Sequence, residues 1–279
     1  MRGADIIGMH SERPSKRRRT SSADSILPTP PASEYDPENG HARILNQAIN
    51  VLAIEAAALS HITHLYQTDL PARKSLADAV ECIVKAQHIR GKLVVCAVGK
   101  SGFIGMKLAA TCKSLGIKAS FMHACEAAHG DLGDLGADDV LLFVSFSGKT
   151  PELLNLLPHI QPETKVIAIS SPSRPEDCQL LGQTENPILL PAPIYESEEV
   201  SFGVSAPTIS TTVALAVSDM LALTVADQLQ GQDKKSVFQR NHPGGAIGMN
   251  HREVQKLKKS GIDVSILELP SPSISAEDA

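Results

Sequence analysis

Three features of this 279-residue sequence predict an α/β fold built on a parallel, doubly wound sheet of five strands. Short apolar runs rich in β-branched residues have the length and continuity of strands buried on both faces. Each run is separated from the next by ten or more residues of helical pattern or loop, which calls for right-handed crossovers rather than hairpins. The third feature is composition: 42% of residues are hydrophobic but only 3% are aromatic and none is Trp, so the core must be aliphatic and alanine-rich.

Residues 1 to about 38 are rich in Ser, Pro, Arg and Lys and sustain neither a helical nor a strand period, the signature of a disordered arm. Within the arm, Lys16-Arg17-Arg18-Arg19 has the character of a nuclear-import signal or of a basic segment tunable by phosphorylation. From His41 to Leu65 the apolar positions follow a helical step, and a second helix is expected from Ala72 to His88. These two helices would pack on the sheet or on another subunit. Leu93–Val98 is the first buried strand, closed by Gly99-Lys100-Ser101-Gly102, and Phe103 to Leu115 continues as a helix. The arrangement then recurs. Val140–Val144 is a strand, Ser145 to Thr150 a small polar loop, and Pro151 sits in the first turn of a helix that stops between Pro158 and Pro162. Val166–Ile169 is a further strand, Cys178 to Leu181 a short helix, and Ile188–Leu190 the fifth strand. An acidic loop, Tyr195 to Glu199, leads through Ala206–Thr212 to a long apolar helix, Val213 to about Leu229, that carries Asp219 and Asp227. Asn241 to Gly248 is turn-rich, and residues 251–279 are expected to form a helix that frays into a loose tail. The folded domain is therefore placed at residues 39–250.

The two polar loops suggest a ligand. Glycine permits close backbone approach, hydroxyls donate, and a helix amino terminus presents unpaired N–H groups and partial positive charge, so an anion such as phosphate is the natural guest. Neither loop is a Walker sequence, and neither contains a complete G-x-G-x-x-G, which argues against a dinucleotide. Either loop alone would serve equally as a tight strand-to-helix turn. Two in register, at the carboxyl ends of parallel strands, point into one crevice.

Composition excludes other classes. A net charge of −5 gives no reason to expect nucleic acid. Cys82, Cys96, Cys112, Cys125 and Cys178 are odd in number and form no C-x-x-C pair, as expected of reduced cytosolic thiols. No run of eighteen apolar residues and no signal-peptide pattern occurs, so a soluble, cytoplasmic protein without a membrane partner is expected. His129 lies near Glu126 and Asp131, but no second closely spaced histidine completes a metal site.

Five motifs, GKSG at Gly99, EAAHGD at Glu126, SFSGKTPE at Ser145, APTISTT at Ala206 and HPGGAIG at His242, occur in an order and spacing that resembles the sugar isomerase (SIS) domain of arabinose-5-phosphate isomerases. The resemblance covers roughly residues 42 to 250. It implies a three-layer αβα sandwich, usually a homotetramer, that binds a phosphosugar and interconverts an aldose 5-phosphate with ribulose 5-phosphate, without metal or organic cofactor. Carried over by motif, the catalytic set falls on Lys100, Glu152, Glu199 and His242. Glu199 or Glu152 would take the C–H proton through an enediolate, His242 would serve ring opening and O–H transfer, and Lys100 would hold the oxyanion. Gly99, Ser101, Gly102, Ser145, Ser147, Gly148, Thr150, Thr208, Ser210 and Thr211 become the phosphate and hydroxyl contacts. His129 would reach a substrate, in its own or a neighbouring subunit.

Each residue also has a plain structural reading. Glu152 would stabilise a helix start, and Glu199 and His242 would be solvated in loops. Lys100 at a helix start opposes the dipole, which favours a functional reason for it. Two positions depart from the family pattern: Phe146 stands where a polar Asn is usual, and Lys149 where an acidic residue is usual. Isomerases of this type carry a pair of CBS domains after the SIS domain, and none is expected here. An alternative from another class is a phosphosugar-binding sensor that acts through a partner.

Overall fold

The computed structural model describes residues 37–182 and 184–243, together with Glu253, Lys256, Lys259 and Ser260. The basic segment Lys16–Arg19, the glycines of HPGGAIG and most of the expected C-terminal helix lie outside the described residues. The chain divides into two units, Met1–Asn46 and Gln47–Ala279. In the first, only the opening turns of helix α1 are described, with Ile44 and Leu45 exposed.

Element order is α1 (Pro37–Thr68), α2 (Leu70–His88), β1 (Leu93–Ala97), α3 (Gly99–Ser114), β2 (Ala119–His123), α4 (Ala124–Ala127), β3 (Val140–Val144), α5 (Pro151–Leu154), β4 (Lys165–Ser170), β5 (Ile188–Pro191), α6 (Glu198–Phe202), α7 (Ile209–Gln230) and α8 (Lys234–Arg240). All pairings are parallel, in the order β2-β1-β3-β4-β5. This is the expected five-stranded, doubly wound sheet. The strand that the sequence pattern does not single out is β2, and the reason is physical: at the sheet edge only Ala119 and Met122 are buried, so Ser120 and His123 are tolerated and the run is not continuously apolar.

Alternation along the strands sorts the core into two sides. Leu93, Val95, Ala97, Val140, Leu142, Val144, Ile167 and Ile169 pack with α2, α3, α7 and the carboxyl half of α1. Val94, Cys96, Leu141, Phe143, Val166 and Ala168 face the other way, onto Leu153, Leu156, Leu180 and Leu181. That second layer is thin. The helix expected after Pro151 is a single turn, ended by a 3₁₀ turn at Leu157–His159 that contains Pro158, and Gln179–Leu181 is 3₁₀ rather than α. The α7 stretch is long and apolar enough by composition to span a bilayer, yet here it packs against α2 and α3.

At the amino edge of the sheet Asp139 ties β1 to β3. It is 5% exposed, accepts from the Lys92 amide at 2.8 Å and the Gly136 amide at 2.8 Å, and pairs with the Lys92 ammonium at 2.6 Å. Burial pushes its pKa up, but the bonds from Lys92 and Gly136 and the Lys92 charge outweigh this and leave it lowered. A folded pKa below the unfolded one gives stability that is present above the usual carboxylate range and lost as pH falls through the lowered pKa. Replacing Asp139 by Ala should cost about 2–4 kcal/mol in urea unfolding at neutral pH, because buried donors lose their acceptor. The deficit relative to the parent should shrink in acid. Equal stability of the two proteins at neutral pH would refute this role.

Candidate functional site

The strand order reverses direction of growth between β1 and β3, and at such a switch point the loops after the two strands diverge and leave a crevice. Both polar segments noted in the sequence lie there. Gly99–Gly102 is not a loop before a helix but the first turn of α3 itself, with Gly99 at φ 62°. Val98 precedes it in extended conformation and makes no side-chain cap, and no acidic residue occurs in the first turn. The amino end of α3 therefore keeps open N–H groups, reinforced by the Lys100 charge.

The segment after β3 is held tightly. Ser145 Oγ and Thr150 Oγ1 share a hydrogen bond of 2.7 Å, and the Gly148 amide donates to Ser145 Oγ at 3.2 Å. Gly148 has φ 64°, and a Cβ there would stand 2.9 Å from both Cys178 Sγ and Ser170 Oγ, so this turn requires glycine. The Phe146 carbonyl accepts from the Ser171 amide at 2.8 Å and from Ser170 Oγ at 3.1 Å, which fastens the turn to the end of β4.

Beside these turns lies a cavity of about 480 Å³. Its polar lining is Lys100, Ser101, Ser170, Glu198, Ser205, Ser210 and Thr211, and its apolar lining includes Ile104, Val144, Phe146 and Ile169. Of the expected catalytic set only Lys100 lines it. Glu152 is exposed in the first turn of α5, and Glu199 is exposed and accepts from the Ser205 hydroxyl, outside the lining. His129 is exposed, next to Gly130 at φ 132°. Of the expected binding residues, Ser101, Ser210 and Thr211 line the cavity, Gly99 and Gly102 belong to the α3 turn, and Ser145, Ser147, Gly148 and Thr150 form the turn that carries Phe146. Thr208 stands at the start of α7.

His242 is elsewhere. Its Nδ1 is 2.7 Å from the Phe238 carbonyl, its Nε2 is 3.3 Å from Ser114 Oγ, and its ring stacks on Phe238 with centroids 4.1 Å apart. Ser114 ends α3 and Lys100 begins it, a separation of roughly 20 Å at about 1.5 Å per residue. Within one chain these four side chains do not meet.

The carboxylate that does face the cavity is Glu198. It is 8% exposed, and its Oε1 accepts from the Thr208 amide at 3.4 Å, the Ser210 amide at 3.0 Å and Ser210 Oγ at 2.5 Å; Oε2 takes none of these bonds. Burial pushes its pKa up, but the Ser210 hydroxyl and the backbone amides more than compensate, so the group sits below its ordinary range and is ionised at neutral pH. The sequence held a signal for this choice. On a helical turn positions i and i+4 share a face, and Phe202, which packs on the core, stands four residues after Glu198.

Comparison with known proteins follows the same lines. The SIS domain profile matches residues 88–186. Arabinose 5-phosphate isomerase GutQ of Escherichia coli O6:H1 is 37% identical over 209 residues, which are 74% of this chain and 59% of that protein. The chain spans less than two thirds of the length of the curated relatives it matches. A solved structure of a phosphosugar isomerase from Bacteroides fragilis, described as putative and as involved in capsule formation, superposes with TM-score 0.57 at 31% identity, covering 72% of this chain and 98% of that one. The c3406 protein of E. coli CFT073, solved in complex with arabinose 5-phosphate, gives TM-score 0.56 at 28% identity, covering 69% and 96%. A relative as similar as the Bacteroides protein, matched along almost its entire length on the same architecture, places the chain in the SIS domain family.

Proposed function

We propose that this protein is a phosphosugar aldose–ketose isomerase that interconverts D-arabinose 5-phosphate and D-ribulose 5-phosphate. The observation that carries the reading is one cavity lined by both a lysine and a buried, ionised glutamate. Isomerisation moves a proton between C1 and C2 through an enediolate, which needs an acceptor that is ionised at working pH and a cation or donor for the developing oxyanion. Glu198 is the acceptor in this assignment. Its Oε1 is fixed by α7, which holds the carboxylate still while Oε2 serves the substrate. Lys100, backed by the open amino end of α3, stabilises the oxyanion, and the hydroxyls of Ser101, Ser210 and Thr211 bind the sugar or its phosphate. The relatives named for arabinose 5-phosphate support the substrate.

Ring opening and O–H transfer fall to His242, which its own chain holds about 20 Å from Lys100 by the helix length. The site is therefore completed by a second copy. A homotetramer supplies that copy, and Ile49 and Leu52 on α1, 61% and 67% exposed, offer it an apolar face.

Purified protein incubated with arabinose 5-phosphate should form ribulose 5-phosphate. Glu198→Gln should lower kcat by about 10³-fold, Lys100→Met by about 10²-fold, and Glu199→Gln by less than about threefold; a Glu198→Gln enzyme of near-normal turnover would end the assignment. Shared sites make a second expectation. Glu198→Gln and His242→Ala subunits, each inactive alone, should regain part of the activity when unfolded and refolded as a mixture, whereas a mixture as inert as its parts would place both groups in one protomer.

A further inference from the structure

Phe146 is a large apolar side chain left 41% exposed two residues after the end of β3, a strand whose residues are all buried. It is not loose. Its carbonyl is fastened by Ser170 and Ser171, Ser145 on one side is buried and bonded to Thr150, and Gly148 on the other cannot accept a Cβ without clashing. These bonds and contacts fix the backbone of the turn that presents the ring to the cavity. Among the described lining residues it is the only aromatic, and the apolar lining beside it includes Val144 and Ile169 from the strands and Ile104 from α3, while the polar lining comes largely from the first turn of α3, from α6 and from the start of α7. Lys149, three residues on, is exposed and does not line the cavity.

A cavity that offers an aromatic ring as well as hydroxyls and a carboxylate selects among sugars by the disposition of their hydroxyls. A sugar phosphate has one face richer in C–H groups and others crowded with hydroxyls. Turning the C–H face onto an aromatic ring buries apolar surface on both, and it leaves the hydroxyls for Ser101, Glu198, Ser205, Ser210 and Thr211. An epimer that must point a hydroxyl at the ring loses water there and finds no partner. We propose that Phe146 is the specificity-determining wall of this site, discriminating between epimeric aldose 5-phosphates by packing on the C–H face of the preferred one. This rests on the isomerase reading above.

The test compares arabinose 5-phosphate with its C2 epimer, ribose 5-phosphate, in the parent protein and in Phe146→Asn and Phe146→Leu. For the preferred epimer Phe146→Asn should raise KM about tenfold, with kcat within about threefold. The kcat/KM ratio between the epimers should contract by about the same factor, and Phe146→Leu, which keeps an apolar wall, should fall between. A ratio unchanged in the variants that remain folded by circular dichroism overturns the proposal. If the parent protein converts neither sugar, the isomerase reading fails instead. Calorimetric affinities for the two phosphates then take the place of kcat/KM, and an affinity ratio indifferent to the Phe146 substitutions overturns the role of the wall.

Discussion

Burial of the sheet on both faces is the constraint from which the rest follows. The strands β1 and β3 expose no side chain at all, so no polar group capable of chemistry can be placed along them without losing its hydrogen bonds to water. Reactive groups are confined to the strand ends. At the amino end Asp139, the one buried carboxylate there among the described residues, joins β1 to β3. At the carboxyl end the helix starts supply donors, and the cavity forms there.

Two helix starts border that cavity, and they differ in charge. The amino end of α3 has no acidic residue and carries Lys100, so the field around it is positive. The amino end of α7 is occupied by the Glu198 carboxylate, which satisfies two of its amides and cancels its dipole. In the proposed reaction an incoming anion is drawn to α3 and to the turn after β3, while Glu198 faces the reacting carbons. The donors that make this carboxylate a helix anchor also keep it ionised, as the proposed proton transfer requires.

The thin layer on the far side of the sheet has a consequence for the site. One-turn helices and 3₁₀ turns cover Phe143, Leu141 and Val166 there, and Cys178 and Ser170 from this region press against Gly148. The turn that carries Phe146 is therefore shaped from below by packing, not only by its own sequence of Ser, Gly and Thr. On the opposite side α2, α3 and α7 form the thick layer, and the Lys107 and Asp219 ion pair links α3 to α7.

How much of this was legible in the sequence varied with the physics of each element. Continuous apolar runs fixed four strands and the long helices, because a strand buried on both faces admits few polar residues; β2 escaped notice since an edge strand admits several. The two glycine- and serine-bearing segments marked the crevice, since only such residues suit a positive φ or a close approach. Motif order identified Lys100 and the α7 hydroxyls. What the sequence by itself determined is the parallel sheet and the chemical types of residue at its carboxyl edge, for periodicity and composition are local properties of the chain. Only the tertiary structure decided that Glu198 and not its neighbour faces the cavity, that His242 lies at the far end of α3, and that Phe146 forms a wall. A helical turn rotates consecutive residues by about 100°, and the distance between residues far apart in the chain is set by how layers pack.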